Sequence, residues 1–383
     1  MISGLRKDVE KLEIAVRECE ALIRRGYRRE IILKKIRKYG YDGKEIFEIA
    51  RCRIKAREKF SIHNLYFDEY GLRYSTPELI GQYRAERIRG YTIADISCGV
   101  GMQAIFFSFT NPSVLGVDID ERRIQYARLN ARAYNAKNIE FIVGDCFSPD
   151  IMEKAKKYDI IFSDPARKES EKERKLETLI PSPLKILEKY GEREYIFDLP
   201  PQISREKLPQ DWEKEYISLN RRIKRLTAYT GNLRIWDRCA VSLPSKDRVC
   251  GYEDDDFTLE NELSNYVYLV DESIYYASLL GVLERRTGIK YLQTGKRRTL
   301  ATSSSLVESG FLKPYRVIYE DKNLDSIISC LRKHDVGKVT LVMAVEPGKY
   351  WKIRRAIEEK LKGKRKMVLF KINDIFVAGE NVT

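Results

Sequence analysis

The residues best suited to chemistry form a series of aspartates, each closing a short apolar run. The first run, Ile93-Ala94-Asp95-Ile96, leads straight into Ser97-Cys98-Gly99-Val100-Gly101. Two glycines behind a strand-ending acid suit a backbone that bends sharply and meets a ligand with no Cβ in the way. Asp118 closes the next run, in Gly116-Val117-Asp118-Ile119-Asp120, about 20 residues past the turn. A carboxylate at that spacing can accept from both hydroxyls of a ribose. Asp145, in Val143-Gly144-Asp145-Cys146, is placed to accept from an adenine amino group. A fourth run ends in Phe162-Ser163-Asp164-Pro165-Ala166-Arg167 and a fifth in Phe197-Asp198-Leu199-Pro200-Pro201. A glycine turn with a ribose-binding acid also suits dinucleotide enzymes, which more often carry a longer Gly-x-Gly-x-x-Gly loop. No Gly-x-x-x-x-Gly-Lys-Ser/Thr occurs, so a phosphate-cradling loop is not expected.

To act together, these acids must reach one edge of one sheet. The apolar runs at 91–96, 113–117, 139–143, 158–162 and 194–197 alternate with charged amphipathic stretches. That alternation predicts βαβ units and a parallel sheet, with 215–219 and 238–243 as two closing strands. Upstream, Leu5, Val9, Leu12, Val16, Cys19 and Ile23 recur at helical spacing before Gly26. Ile31, Ile32 and Ile36, then Ile46, Ile49 and Ile54, predict two more helices. The acidic stretch 252–256 reads as a linker. Beyond it, strands at 267–270, 338–345 and 367–372 and a helix over 351–361 predict a small α+β module. The expected organisation is a helical region at 1–60, an α/β domain at 61–250 and an α+β domain at 258–383.

The order Asp95-x-x-x-Gly99-x-Gly101, Asp118, Asp145, Asp164-Pro165 resembles class I S-adenosylmethionine-dependent methyltransferases with a Rossmann-like sheet. More narrowly, it resembles the subgroup with a C-terminal THUMP-like domain. That subgroup pairs an Asp-Pro-Ala-Arg loop with a preceding helix, matched here by Thr76-Pro77 and Arg84-Ala85. Tyr266-Val267-Tyr268-Leu269-Val270-Asp271 and Tyr291-Leu292 extend the likeness, which spans about residues 55 to 375 and is strongest from 74 to 168. The family continues its loop with a second arginine and a Gly-Arg pair, where this chain has Lys168 and then Glu169-Ser170-Glu171-Lys172.

The resemblance implies S-adenosyl-L-methionine as cofactor and assigns roles. Asp95, Gly99 and Gly101 would hold its methionine part. Asp118, with Ile119 beside it, would bind the ribose, and Asp145 with Cys146 the adenine edge. Cys98 and Cys146 would line the cofactor rather than act as nucleophiles, since no Pro-Cys or Thr-Cys dipeptide accompanies them. Thr76 and Arg84 would lid the site or, equally, serve as helix-capping and surface residues. Asp164 and Pro165 would hold a target amino group so that its lone pair faces the sulfonium methyl, a contribution of positioning and electrostatics. Arg167 would stack on a base, and Asp198 would orient the target or act as a base.

Bulk properties narrow the partners. The 383 residues carry 71 Lys+Arg against 57 Asp+Glu, a formal charge of +14, which favours a polyanion. Basic segments lie at 221–225, 296–298, 352–355 and 362–366, and 24 tyrosines offer stacking surfaces. RNA is the expected partner, tRNA favoured. The expected activity is base-nitrogen methylation; the alternatives are a methyltransferase acting on a small molecule or protein, and a non-catalytic RNA-binding protein of the same fold. No apolar run approaches the ~20 residues of a membrane span, and the charged N-terminus does not read as a signal peptide. Seven scattered cysteines without Cys-x-x-Cys argue against a disulfide framework and a zinc ribbon, and two histidines against a His-rich metal site. No metal is expected, and the cytoplasm is the expected location.

Overall fold

The computed structural model describes residues 2–167, 175–346 and 348–382. The departure from the family loop at Lys168 and residues 169–172 lies outside the described residues. Two compact units divide the chain: Met1–Trp212 with Ala228–Leu233, and Glu213–Thr227 with Arg234–Thr383.

The first unit opens with α1 (Ile2–Arg24), α2 (Arg29–Ile36) and α3 (Gly43–Ala56). Their apolar stripes bury Val16, Cys19, Ile32, Ile36, Ile46 and Ile49. These side chains join the same core as Ile93, Phe106 and Ala127, so the helices share a core with the sheet. Short α4 (Glu69–Tyr74) and α5 (Glu78–Arg87) follow.

The alternation then proceeds as β1 (Ile93–Asp95), α6 (Met102–Ser108), β2 (Val114–Asp118), α7 (Glu121–Ala133) and β3 (Ile139–Val143). It continues through α8 (Pro149–Ala155), β4 (Ile160–Ser163), α9 (Pro183–Tyr190) and β5 (Glu194–Leu199). The strands lie in the order β3-β2-β1-β4-β5, all parallel. Ile93, Ala94, Ile160, Ile161, Phe162, Ile196 and Phe197 are buried, as strands covered on both faces require. The order reverses between β1 and β4, and in such Rossmann-like sheets ligands settle at that crevice outside the carboxyl ends of the strands.

In the second unit β6 (Glu213–Leu219) turns into β7 (Arg222–Tyr229) through Asn220 and Arg221, both left-handed at φ 53° and 64°. The basic segment at 221–225 is thus largely strand. β8 (Arg238–Leu243) runs parallel to β6, and β9 (Asp247–Gly251) antiparallel to β8. That register places Cys239 opposite Cys250, and the two form a disulfide. The sequence argued against bridges because spacing along the chain does not reveal a cross-strand pair. The acidic stretch read as a linker is packed in: the Asp254 N–H donates to Ser278 O (2.9 Å), and its carbonyl accepts from Gly281 N–H (3.1 Å).

The rest comprises β10 (Tyr266–Val270), α10 (Glu272–Ala277), α11 (Leu280–Thr287), β11 (Lys290–Gln293), β12 (Leu300–Ser303) and β13 (Leu312–Asp321). It ends with α12 (Leu324–Lys333), β14 (Val336–Val342), α13 (Tyr350–Glu358), β15 (Arg365–Ile372) and β16 (Ile375–Asn381). A sheet of order β11-β12-β10-β13-β16-β15-β14 results, with β14 at one edge. This is the expected α+β module.

Candidate active site

The turn after β1 is built by its neighbours. Asp95, 1% exposed, accepts from the Ser97 N–H (3.2 Å). Cys98 N–H donates to Val117 O of β2 (2.9 Å). Gly99 stands at φ +53°, and a Cβ there would meet nothing within 4 Å. Gly101 stands at φ +82°, and its Cβ would come within 2.7 Å of Ala127 Cβ and 3.0 Å of Phe141 Cζ. The two glycines therefore answer different demands. Gly101 lets α6 start against α7 and β3, whereas Gly99 leaves its backbone open toward a ligand.

Asp118 is tied to this turn. Its Oδ2 accepts the Gly99 N–H (2.8 Å) and its Oδ1 the Asp120 N–H (2.9 Å). Each oxygen retains a second lone pair, enough for a pair of hydroxyls. Ile119 is 75% exposed, an apolar side chain left in water beside that carboxylate. Asp145 lies at the surface, with Oδ1 accepting the Phe147 N–H (2.9 Å). Cys146 is buried, and Tyr190 donates its hydroxyl to the Cys146 carbonyl (2.6 Å).

The β4 end meets the β1 turn through Ser97, a residue the sequence reading passed over. Its Oγ accepts the Asp164 N–H (2.9 Å) and lies 3.0 Å from Ser163 Oγ. Asn130 is a second such residue. Fully buried on α7, it donates to Val100 O (3.0 Å) and Tyr66 O (3.1 Å) and accepts the Tyr66 N–H (2.7 Å). It fixes the glycine turn to the segment before α4. A polar residue inside an amphipathic helix carries no sequence signal of such a task.

Burial holds the Asp95 carboxyl well above the usual carboxylate range. The charges of Asp164 and Asp118 push the same way, against the Ser97 N–H and Arg84. Burial also raises the Cys98 thiol, helped by Asp95 and Asp118, and lifts Cys146 to about 12. Neither thiol is a ready nucleophile at neutral pH. A buried acid beside two further carboxylates, an open glycine backbone and a surface isoleucine fit a cationic ligand with a ribose and an apolar face. S-adenosylmethionine has these features.

At the β4 end, Pro165 is buried and Asp164 half-buried. Ala166 exchanges backbone hydrogen bonds with Ile180 (2.7 and 2.9 Å), which pins the loop. The Arg167 guanidinium lies 6.0 Å from the Tyr74 ring. Tyr74 in turn lies 4.5 Å from Tyr70, which carries the Arg123 guanidinium at 4.5 Å. The sequence offered these tyrosines only as two of many.

Thr76, Asp198 and Arg84 are interior. Thr76 is 3% exposed. Asp198, expected to orient the target or act as a base, is 1% exposed and pairs with Arg84 (3.0 Å). Arg84 is itself fully buried; it donates to Gln103 Oε1 (2.6 Å) and lies over the Phe162 ring. An arginine held this way cannot act as a lid. Its partnership with Asp198 braces α5 against β5.

Residues 89–254 match the family described as "Methyltransferase domain". Over 82 residues the chain is 40% identical to an uncharacterized RNA methyltransferase of Clostridium tetani and 35% identical to one of Clostridium acetobutylicum. Each match covers 21% of this chain and 18% of the relative, so the chain spans under a fifth of the curated relatives it matches. A solved structure of a candidate methyltransferase from Porphyromonas gingivalis W83 superposes over 89% of this chain and 91% of its own, with a TM-score of 0.71 at 16% identity. That likeness extends the shared fold well beyond the matched domain. It is a methyltransferase domain that residues 89–254 match, and within them lie the glycine turn, Asp118, Asp145, Asp164 and Asp198.

Proposed function

We propose that this chain is a cytoplasmic S-adenosylmethionine-dependent RNA methyltransferase acting on a base nitrogen, with tRNA the favoured substrate. One observation carries the reading: Asp95, the open Gly99 backbone, Asp118 and Asp164 converge where β1 and β4 meet, joined through Ser97. The relatives' description as RNA methyltransferases and the +14 charge support the substrate class. In this reading residues 61–250 carry the chemistry, the helices of 1–60 buttress it, and 258–383 form a THUMP-like module that captures RNA.

The cofactor supplies an electrophilic methyl group on a sulfonium. Asp95 and the Gly99 backbone would hold its amino-acid part, Asp118 with Ile119 beside it the ribose, and Asp145 with Cys146 the adenine edge, while Cys98 and Thr76 would complete the walls. Asp164 accepts from the target amino group and turns the nitrogen lone pair toward the methyl. An exocyclic amine needs no strong base, because its proton leaves readily once the methyl has moved. Pro165 and the Ala166–Ile180 pairing keep the Asp164 backbone from swinging, and Arg167 with Tyr74 offers a flat surface for a base. Asp198 acts at one remove, by anchoring Arg84.

The test is transfer of labelled methyl groups to total tRNA and rRNA, read by nucleoside mass spectrometry. The reading expects one methylated base, absent with Asp164→Ala while cofactor affinity changes little. Equal loss of both would assign Asp164 to the cofactor, and label confined to protein or small molecules would overturn the RNA substrate.

A further inference from the structure

The second unit carries an aromatic side chain for which folding offers no reason. Trp351, in the first turn of α13, is 68% exposed. A lone exposed leucine needs no explanation, but an indole in water forfeits the largest apolar gain available to any side chain. The helix does not display it through looseness. Strand β14 ends the sheet, so outward N–H groups of this edge strand need cover. Glu358 accepts the Val339 N–H (2.9 Å), and the Tyr350 hydroxyl accepts the Leu341 N–H (3.3 Å). Ile357 is buried beneath them with Leu361. These contacts fix which face of α13 looks outward.

The indole is also held in place. Glu358 accepts from Arg354 Nε (2.9 Å), and the Arg354 guanidinium lies 5.2 Å from the Trp351 ring centre. Tyr350 packs edge-on against the same ring at 5.4 Å. A chain of contacts thus runs from the sheet edge through Glu358 and Arg354 to the indole. On α13, Lys352 and Arg355 are exposed, as are Lys362, Lys364 and Lys366 past its C-terminal end, and none of these forms an ion pair among the described residues. The acids nearby are Glu346, paired with Lys349, the committed Glu358, and the exposed Glu359. A rigid aromatic face on a helix that also carries uncommitted cations complements a base stacked beside a phosphate backbone. A duplex hides its base faces, so the surface suits an unpaired strand.

We infer that α13 and the 362–364 loop form a docking surface for unpaired RNA, with Trp351 stacking on a base and the lysines and arginines of the helix and loop meeting phosphates. The inference rests on the RNA reading above and adds the strand state and the anchoring residue. It is tested on the full chain with a short oligouridylate and a blunt RNA duplex of equal length, by fluorescence titration at two salt concentrations. Trp351→Ala weakens oligouridylate binding roughly ten-fold with its salt slope unchanged, while duplex binding stays the same. Trp351→Phe keeps affinity within about two-fold, since a smaller ring still stacks. Removing the charges of Lys352, Arg355, Lys362 and Lys364 flattens the salt slope instead. The surface is overturned, with the RNA reading intact, if Trp351→Ala binds oligouridylate like wild type while the wild-type chain methylates RNA. A wild-type chain that binds neither RNA and methylates none overturns both.

Discussion

Removing either half of the Arg84–Asp198 pair is expected to destabilise the first unit far more than removing both. The two side chains are essentially unexposed and 3.0 Å apart. Asp198→Ala takes a carboxylate partner from a buried guanidinium that also donates to Gln103 and lies over the Phe162 ring. Breaking a buried ion pair by removing one partner costs about 3–5 kcal/mol. Arg84→Met takes a cationic partner from the buried carboxylate and deprives Gln103 Oε1 of its donor, adding roughly 1–3 kcal/mol. Arg84→Met with Asp198→Leu removes both charges of the pair, so the Gln103 loss and imperfect packing cost about 1–3 kcal/mol. Urea unfolding followed through Trp212 suits the comparison, because its ring stacks on Phe197 at 5.1 Å, next to Asp198. A coupling of about 3 kcal/mol or more between the substitutions is expected. Additive losses, or an Asp198→Ala cost under about 1 kcal/mol, would refute the bracing role. Methyl transfer by the folded double variant, assayed well below its unfolding temperature, is expected to persist. Its disappearance would return Asp198 to the acid–base groups.

Other expectations follow from the same geometry. Gly99→Ala, at φ +53° in open space, costs only about 1–2 kcal/mol but cuts affinity for the cofactor. Gly101→Ala, with its Cβ at 2.7 Å from Ala127 Cβ, costs roughly 2–5 kcal/mol; equal melting temperatures for the two would contradict the separate roles. Asp95 has a folded pKa raised by burial, so the folded state holds its proton longer and its contribution to stability falls as pH climbs above about 4 through the raised value. Asp95→Asn should therefore stabilise the ligand-free protein at neutral pH while weakening cofactor binding; calorimetry in buffers of different ionisation heat should show proton release on binding by wild type alone. Reduction of Cys239–Cys250, 11 residues apart in sequence, should lower the stability of the second unit by about 2–4 kcal/mol, and non-reducing peptide mapping should find the pair.

The sheet was legible because apolar runs of four to six residues punctuated by aspartates carry both their secondary structure and their edge. Asp95, Asp118, Asp145 and Asp164 all follow strand ends that the run pattern located. Features made by tertiary contact were hidden. Ser97 and Asn130 hold the turn through hydrogen bonds to residues more than 60 positions or a full motif away, which no local pattern encodes. Asp198 looked like its fellow strand-end acids, yet Arg84, over a hundred residues upstream, turns it inward. The 221–225 cations read as one basic run, yet in β7 Arg222 and Lys224 are exposed while Ile223 and Arg225 are half-buried, as the pleat dictates. Cys239 and Cys250 became partners only through the register of β8 and β9.

The central claim is that the carboxylates and open glycine backbone at the β1–β4 crevice hold S-adenosylmethionine. Isothermal calorimetry of the purified chain with S-adenosylmethionine and with its demethylated product tests it most directly. The account predicts one site per chain for each ligand, with affinity lost in Asp118→Ala, whose carboxylate accepts from the Gly99 and Asp120 N–H groups. Folded protein that gives no binding heat and no thermal shift with either ligand would contradict it.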